Sequence, residues 1–92
     1  MEAPLDMAAI ASMSDEQLAS EIIALIDPAI TSGIDELGPG SLLVEDIGID
    51  SLGSFELIMD VEDRFGIKID STQALNFRTI DDIVTWVRLN SR

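Results

Sequence analysis

Cysteine and histidine are both absent from this 92-residue chain. Their absence removes disulfides, Cys/His zinc sites, thiol and imidazole nucleophile systems, and the commonest general base near neutral pH. Tyrosine is missing too and Trp86 is the single tryptophan, so Leu, Ile, Val, Met and Phe must fill the core. Basic residues are scarce: five Lys and Arg stand against eighteen Asp and Glu, a formal net charge of -13. Such a field repels phosphate backbones and anionic headgroups, which argues against nucleic acid and stable membrane insertion, and it attracts basic patches on other proteins. With 47% apolar residues the length suits one small domain without a deep enzyme pocket, so a protein partner is the default expectation. The segment 1–13 is mildly apolar, contains Glu2 and Asp6 but no Lys or Arg, and is too short to span a bilayer. It reads as the flexible N-terminal tail of a cytoplasmic protein.

Ser14-Asp15-Glu16-Gln17 has the form of a capping box, with acids where a helix N-terminus favours them. Leu18, Ile22, Leu25 and Ile26 then recur at helical spacing until Asp27-Pro28, predicting a helix over 15–27. Gly33, Gly38, Pro39, Gly40 and Gly48 punctuate the stretch 28–50 as a long connection. Its Ile34, Leu37, Leu42, Leu43, Val44 and Ile47 are too many apolar residues for free coil, and several should fold onto the domain. A second helix is expected over 51–65, with Arg64 in its last turn and Gly66 as its stop. Ser71 and Thr72 start a short turn of helix through Asn76, and Thr79 to Asp82 resembles a further capping box heading a helix over 79–89. The expected fold is all-α: a small bundle of three main helices plus one short helix, with a long ordered loop between the first two. The domain occupies 14–89, between the N-terminal tail and a C-terminal tail over 90–92.

On the helix 51–65, Leu57, Ile58, Val61 and Phe65 share one arc of roughly 100°, which is the core face. Leu52, Phe55 and Met59 form a second apolar cluster on roughly the opposite side, flanked by Glu62 on one edge and Glu56, Asp60 and Asp63 on the other. An apolar stripe rimmed by carboxylates is suited to docking: the centre supplies contact energy and the rim steers a basic partner. The alternative is that the preceding loop covers this stripe. A calcium-loop reading from Asp46 fails, because glycine is not at its sixth position and glutamate is not at its twelfth. Adjacent acids such as Asp81 and Asp82 do not face each other on a helix and read as solvated and helix-dipole charges rather than an acid–base pair.

The run Asp46-Ile47-Gly48-Ile49-Asp50-Ser51-Leu52, followed by Glu56-Leu57-Ile58-Met59 and by Glu62 through Ile69, resembles the acyl carrier protein family in order and spacing. The helix pattern from 14 to 89 fits the same family, so the resemblance covers most of the chain. It implies that Ser51 receives phosphopantetheine from coenzyme A through a phosphopantetheinyl transferase, and that acyl groups ride on the arm as thioesters. Asp50 and Leu52 would flank the attachment point, Asp50 as a helix cap or as a group that helps place the transferase's metal and coenzyme. Gly48 would bend the chain into the helix without a side chain obstructing access. Leu52, Phe55, Glu56, Met59, Asp60, Glu62 and Asp63 would form the docking face for acyl-loading, condensing and acyl-transfer enzymes with basic patches. The resemblance further implies a monomeric, free-standing carrier for fatty-acid, polyketide or specialised lipid biosynthesis. Arg64 and Asp60 depart from the family's usual charges, and the first loop is longer and richer in glycine, which suggests specialised partners. A peptidyl or aminoacyl carrier is the nearest alternative, although such domains often show Gly-Gly where this chain has Gly48-Ile49. An unmodified acidic helical adaptor is the alternative from a different class.

Overall fold

Helix starts in this chain are set by side chains that satisfy the first backbone N–H groups, which have no partner within a helix. The computed structural model describes residues 7–34 and 36–90, and six helices run through them: α1 (Met7–Ser12), α2 (Asp15–Ala24), α3 (Pro28–Thr31), α4 (Ser51–Phe65), α5 (Ser71–Ala74) and α6 (Ile80–Asn90). At α2 the Ser14 hydroxyl accepts the Gln17 N–H at 3.1 Å while the Gln17 side chain accepts the Ser14 N–H at 2.8 Å, so the capping box forms as expected. At α6 the Thr79 hydroxyl accepts the Asp82 N–H at 3.1 Å, and the Asp82 carboxylate accepts the N–H groups of Thr79 at 3.1 Å and Arg78 at 2.8 Å. Gly66 ends α4 at φ 66°, and its N–H reaches the Glu62 carbonyl at 2.9 Å.

The long helices α2, α4 and α6 enclose the core. Leu18 and Ile22 of α2, Val61 of α4, and Ile80, Ile83, Val84 and Val87 of α6 are at most 1% exposed, with α2 packed along α6. Each such side chain contributes about 1.5–3 kcal/mol through burial. An all-α bundle of three main helices with a long ordered connection therefore matches the expectation, and no regular strand occurs among the described residues; Leu42 and Thr79 form an isolated bridge. The connection is ordered by burying Leu43, Ile47 and Ile49 and by pairing with the start of α6. Leu43 N–H donates to the Arg78 carbonyl at 2.8 Å, and Asp81 N–H donates to the Pro39 carbonyl at 2.8 Å.

Four boundaries differ from expectation. The helix expected over 15–27 ends at Ala24, and Pro28 begins α3 instead, with the Asp27 carboxylate accepting the Ala29 N–H at 2.9 Å. Proline's fixed φ and missing N–H suit a first helical position as well as they interrupt an interior one. The turn expected from Ser71 through Asn76 is helical only to Ala74, and Asp70 caps it by accepting the Gln73 N–H at 2.8 Å. The third difference concerns the stretch read as a flexible tail: residues 7–12 are helical and Ile10 is 2% exposed. A six-residue helix has little stability alone. Here the Arg88 guanidinium donates to the carbonyls of Ile10, at 3.2 Å, and Met13, and its Nε donates to Asp15 at 2.8 Å, which joins the end of α1 to both α2 and α6. Residues 1–6, 35, 91 and 92 lie outside the described residues, and Asn90, expected in the C-terminal tail, is the last residue of α6.

Candidate functional site: the start of α4

The approach to Ser51 is a short series of residues with distinct tasks. Gly48 adopts φ 86°, in the left-handed region that side chains disfavour. A Cβ placed there would meet nothing within 4 Å, so within the chain glycine is required by the backbone turn, as expected, and not by crowding. Ile49, 2% exposed, then anchors the chain in the core. Asp50 caps α4 through an Oδ1 that accepts the Gly53 N–H at 2.7 Å, which establishes the cap among the two roles open to it. Ser51 follows as the exposed first residue of the helix. The N-terminal end of a helix dipole is a place where an added negative charge is favoured.

Gly53 is a positioning residue that the sequence reasoning missed. A Cβ there would lie 3.1 Å from both Asp50 Oδ1 and Ile49 Cγ2, so a larger residue would push on the cap and its anchor together. Its signal was a glycine in the first turn of a helix, where propensity alone disfavours it.

Beyond Ser51 the two faces of α4 separate as expected. Leu57, Ile58, Val61 and Phe65 are buried, whereas Leu52 is 67%, Phe55 46% and Met59 61% exposed. The preceding loop does not cover this stripe; its Val44 is itself exposed, as is Leu75 beyond α5. Of the flanking carboxylates, Glu56, Asp60 and Asp63 face solvent. Glu62 is half-buried, and its Oε2 accepts the Ile69 N–H at 2.7 Å, fastening the chain after α4. That bond spans a turn whose path was not legible from helical spacing. Arg64, the cation that breaks the acidic pattern, pairs with Glu21 of α2 at 3.3 Å.

Beside Ser51 a cavity of about 270 Å³ opens between α4 and the segment containing α5. Asp50, Ser51 and Ser54 line its polar side and exposed Val44, Phe55 and Leu75 its rim. Ile49, Ala74 and Phe77, packed into or against the core, line its inner side. Thus an exposed hydroxyl, an apolar stripe and an apolar cavity meet within the first turns of one helix. Among the described residues no cluster of three or more His, Cys, Asp or Glu suits a metal ion, and no helix is long and apolar enough to cross a membrane.

This arrangement defines a small helical domain organised around an accessible serine rather than a catalytic constellation. Comparison with known proteins agrees. Residues 17–87 match the family model described as the phosphopantetheine attachment site. The chain is 33% identical over 75 residues to the acyl carrier protein of Exiguobacterium sibiricum, covering 82% of this chain and 95% of that protein. It is likewise 33% identical over 76 residues to the acyl carrier protein of Thermotoga maritima, covering 80% and 91%. A solved structure of a putative acyl carrier protein from Mycobacterium tuberculosis superposes with a TM-score of 0.67 at 35% identity, covering 78% of this chain and 96% of that one. The chain belongs to the acyl carrier protein family. Its members are carriers, not enzymes, and bear a covalently attached phosphopantetheine group.

Proposed function

We propose that Ser51 is the attachment point and that the chain carries an acyl intermediate of fatty-acid, polyketide or specialised lipid biosynthesis. The observation that supports this reading best is the exposed Ser51 at the first position of α4, held by the Gly48 turn and the Asp50 cap. Loading forms a bond from Ser51 Oγ to the pantetheine-bearing phosphorus of coenzyme A; adenosine bisphosphate leaves, and the hydroxyl proton passes to a base of the transferase. Once attached, the group supplies a thiol that holds cargo as a thioester. The chain's own residues present the hydroxyl, stabilise the phosphodiester at the helix N-terminus, and offer partners an apolar stripe with exposed acids.

Partners are the transferase and the acyl-loading, condensing and acyl-transfer enzymes, which reach a monomeric carrier in the cytoplasm through basic patches. Leu52, Phe55 and Met59 supply the contact and Glu56, Asp60 and Asp63 steer. Glu62, assigned to the same face by spacing, serves it indirectly by holding Ile69. An acyl rather than peptidyl cargo is favoured by Gly48-Ile49 and by the apolar cavity beside Ser51. One relative, 29% identical over 77 residues, is the meromycolate extension acyl carrier protein of Mycobacterium leprae, which is compatible with a lipid cargo.

The test is intact mass after incubation with coenzyme A and a broad-specificity transferase. Wild type should gain one phosphopantetheine, and Ser51→Ala should gain none while keeping its helical circular dichroism. A wild-type protein that stays unmodified would favour the adaptor reading. Glu56→Lys combined with Asp63→Lys should slow loading and flatten its dependence on salt; unchanged rates would place docking on another face.

A further inference from the structure

We propose that α1 is a detachable strap: docked, it locks the start of α2 to the end of α6, and it leaves as a unit while the rest of the domain stays folded. The family model begins at residue 17, whereas α1 ends at Ser12. Stretches of 78–82% of this chain already account for 91–96% of three matched relatives, which leaves little in them for a counterpart of α1. The shared fold is thus complete without this segment.

An apolar anchor and a cation fasten it. Ile10 joins the core that holds Leu18, Ile22, Val84 and Val87, whereas Ala8, Ala11 and Ser12 of the same helix are exposed. The last carbonyls of a helix have no partner within it. Arg88 of α6 supplies donors from outside: Nη1 reaches the Ile10 carbonyl at 3.2 Å, Nη2 the Met13 carbonyl, and Nε the Asp15 carboxylate at 2.8 Å. The guanidinium spans three separated acceptors because its donors form a rigid planar fork, which a lysine ammonium does not offer. Its charge also faces the negative end of the α1 dipole.

Six residues make too short a helix to persist alone, because nucleation costs more than the few hydrogen bonds return. α1 is therefore either docked and helical or released and unfolded, with Met13 and Ser14 as the joint before α2. What lies beyond the joint is secured without it. Ser14 and Gln17 cap α2 with each other's groups, and the bond from Arg88 to Asp15 ties α6 to α2 whether or not α1 is seated. The strap also sits away from Ser51: the start of α4 lies by the other end of α2, where Leu25 and Ile26 line a cavity with Gly53. It adds cohesion at one end and leaves the exposed stripe of α4 untouched.

The experiment combines hydrogen exchange by mass spectrometry with native-state proteolysis by thermolysin, both on the full chain. In wild type, residues 7–12 should exchange more slowly than the same sequence as a free peptide but faster than α2 and α6. Thermolysin should trim the strap first and leave a resistant product that starts near Ser14. Ile10→Ser should abolish protection over 7–12 and lower the thermal midpoint by several degrees, while α2, α4 and α6 stay protected. Arg88→Lys, which keeps the charge, should speed exchange over 7–12 by about tenfold or more, the equivalent of one lost charge-assisted bond. Loss of protection throughout α2 and α6 in Ile10→Ser, or failure of that variant to fold, would make α1 part of the core and overturn the strap. Exchange over 7–12 that neither substitution changes would overturn it too, as would wild-type exchange there as fast as in the free peptide.

Discussion

The paired helices α2 and α6 and the first turns of α4 draw on the same residue types, yet they use them in opposite ways. In α2 and α6 the apolar side chains meet one another: Leu18, Ile22, Ile80, Ile83 and Val87 are fully buried, and a capping box heads each helix. Around Ser51, Leu52, Phe55 and Met59 stand in solvent beside a cavity, and the chain arrives through a left-handed glycine. One end of the domain supplies cohesion and the other leaves apolar surface uncommitted. On the proposed reading this separation matters, because a surface offered to partners cannot also be satisfied by the fold.

Substitutions of graded effect would break or sharpen that contrast. The largest effect is expected at the cohesive end: Ile83→Ala should lower the urea unfolding free energy by about 2–5 kcal/mol, a large share of the stability of a small domain, through cavity formation. Loading kinetics of the folded fraction should change little. Gly48→Ala comes next, at about 1–2 kcal/mol, because a Cβ is forced into the left-handed region where nothing crowds it; here the loading rate at Ser51 should fall as well, since the turn delivers the serine. Arg88→Met should cost about 1 kcal/mol and raise amide exchange selectively in residues 7–12, because the three acceptors that the guanidinium joins lose their donor. The smallest stability effect belongs to Leu52→Ser, within about 0.5 kcal/mol of wild type by chemical unfolding. Its loading by the transferase should nevertheless weaken. If Leu52→Ser destabilised the fold as much as Ile83→Ala, the two ends would not be separate in function.

Helical spacing exposed much of this architecture in advance. The Ser14 and Thr79 caps, the Gly66 stop and the two faces of α4 all depend on residues three or four apart, and all were legible. Ser51 stood out for another reason: a serine after a capping acid is ordinary at a helix start, and it was the resemblance of the run from Asp46 to Leu52 to the acyl carrier protein family that singled it out. The position of Pro28 was read correctly but its consequence only in part, since a proline that ends one helix can head the next. Glu62 shows where spacing misleads. Its place on the helical wheel puts it beside the exposed stripe of Leu52, Phe55 and Met59, but the chain after Gly66 turns back and brings the Ile69 N–H to its carboxylate.

From sequence alone came what neighbouring residues settle between themselves: an all-α domain, strongly acidic, with a serine presented at the head of its second long helix. Only the tertiary structure decided which surfaces stay open and which segments are held. Arg88 meets α1 from more than seventy residues away, and the cavity wall joins the loop before α4 to Phe77 beyond α5. These contacts depend on how separate helices dock. Their partners share no period along the chain, so no local pattern announces them.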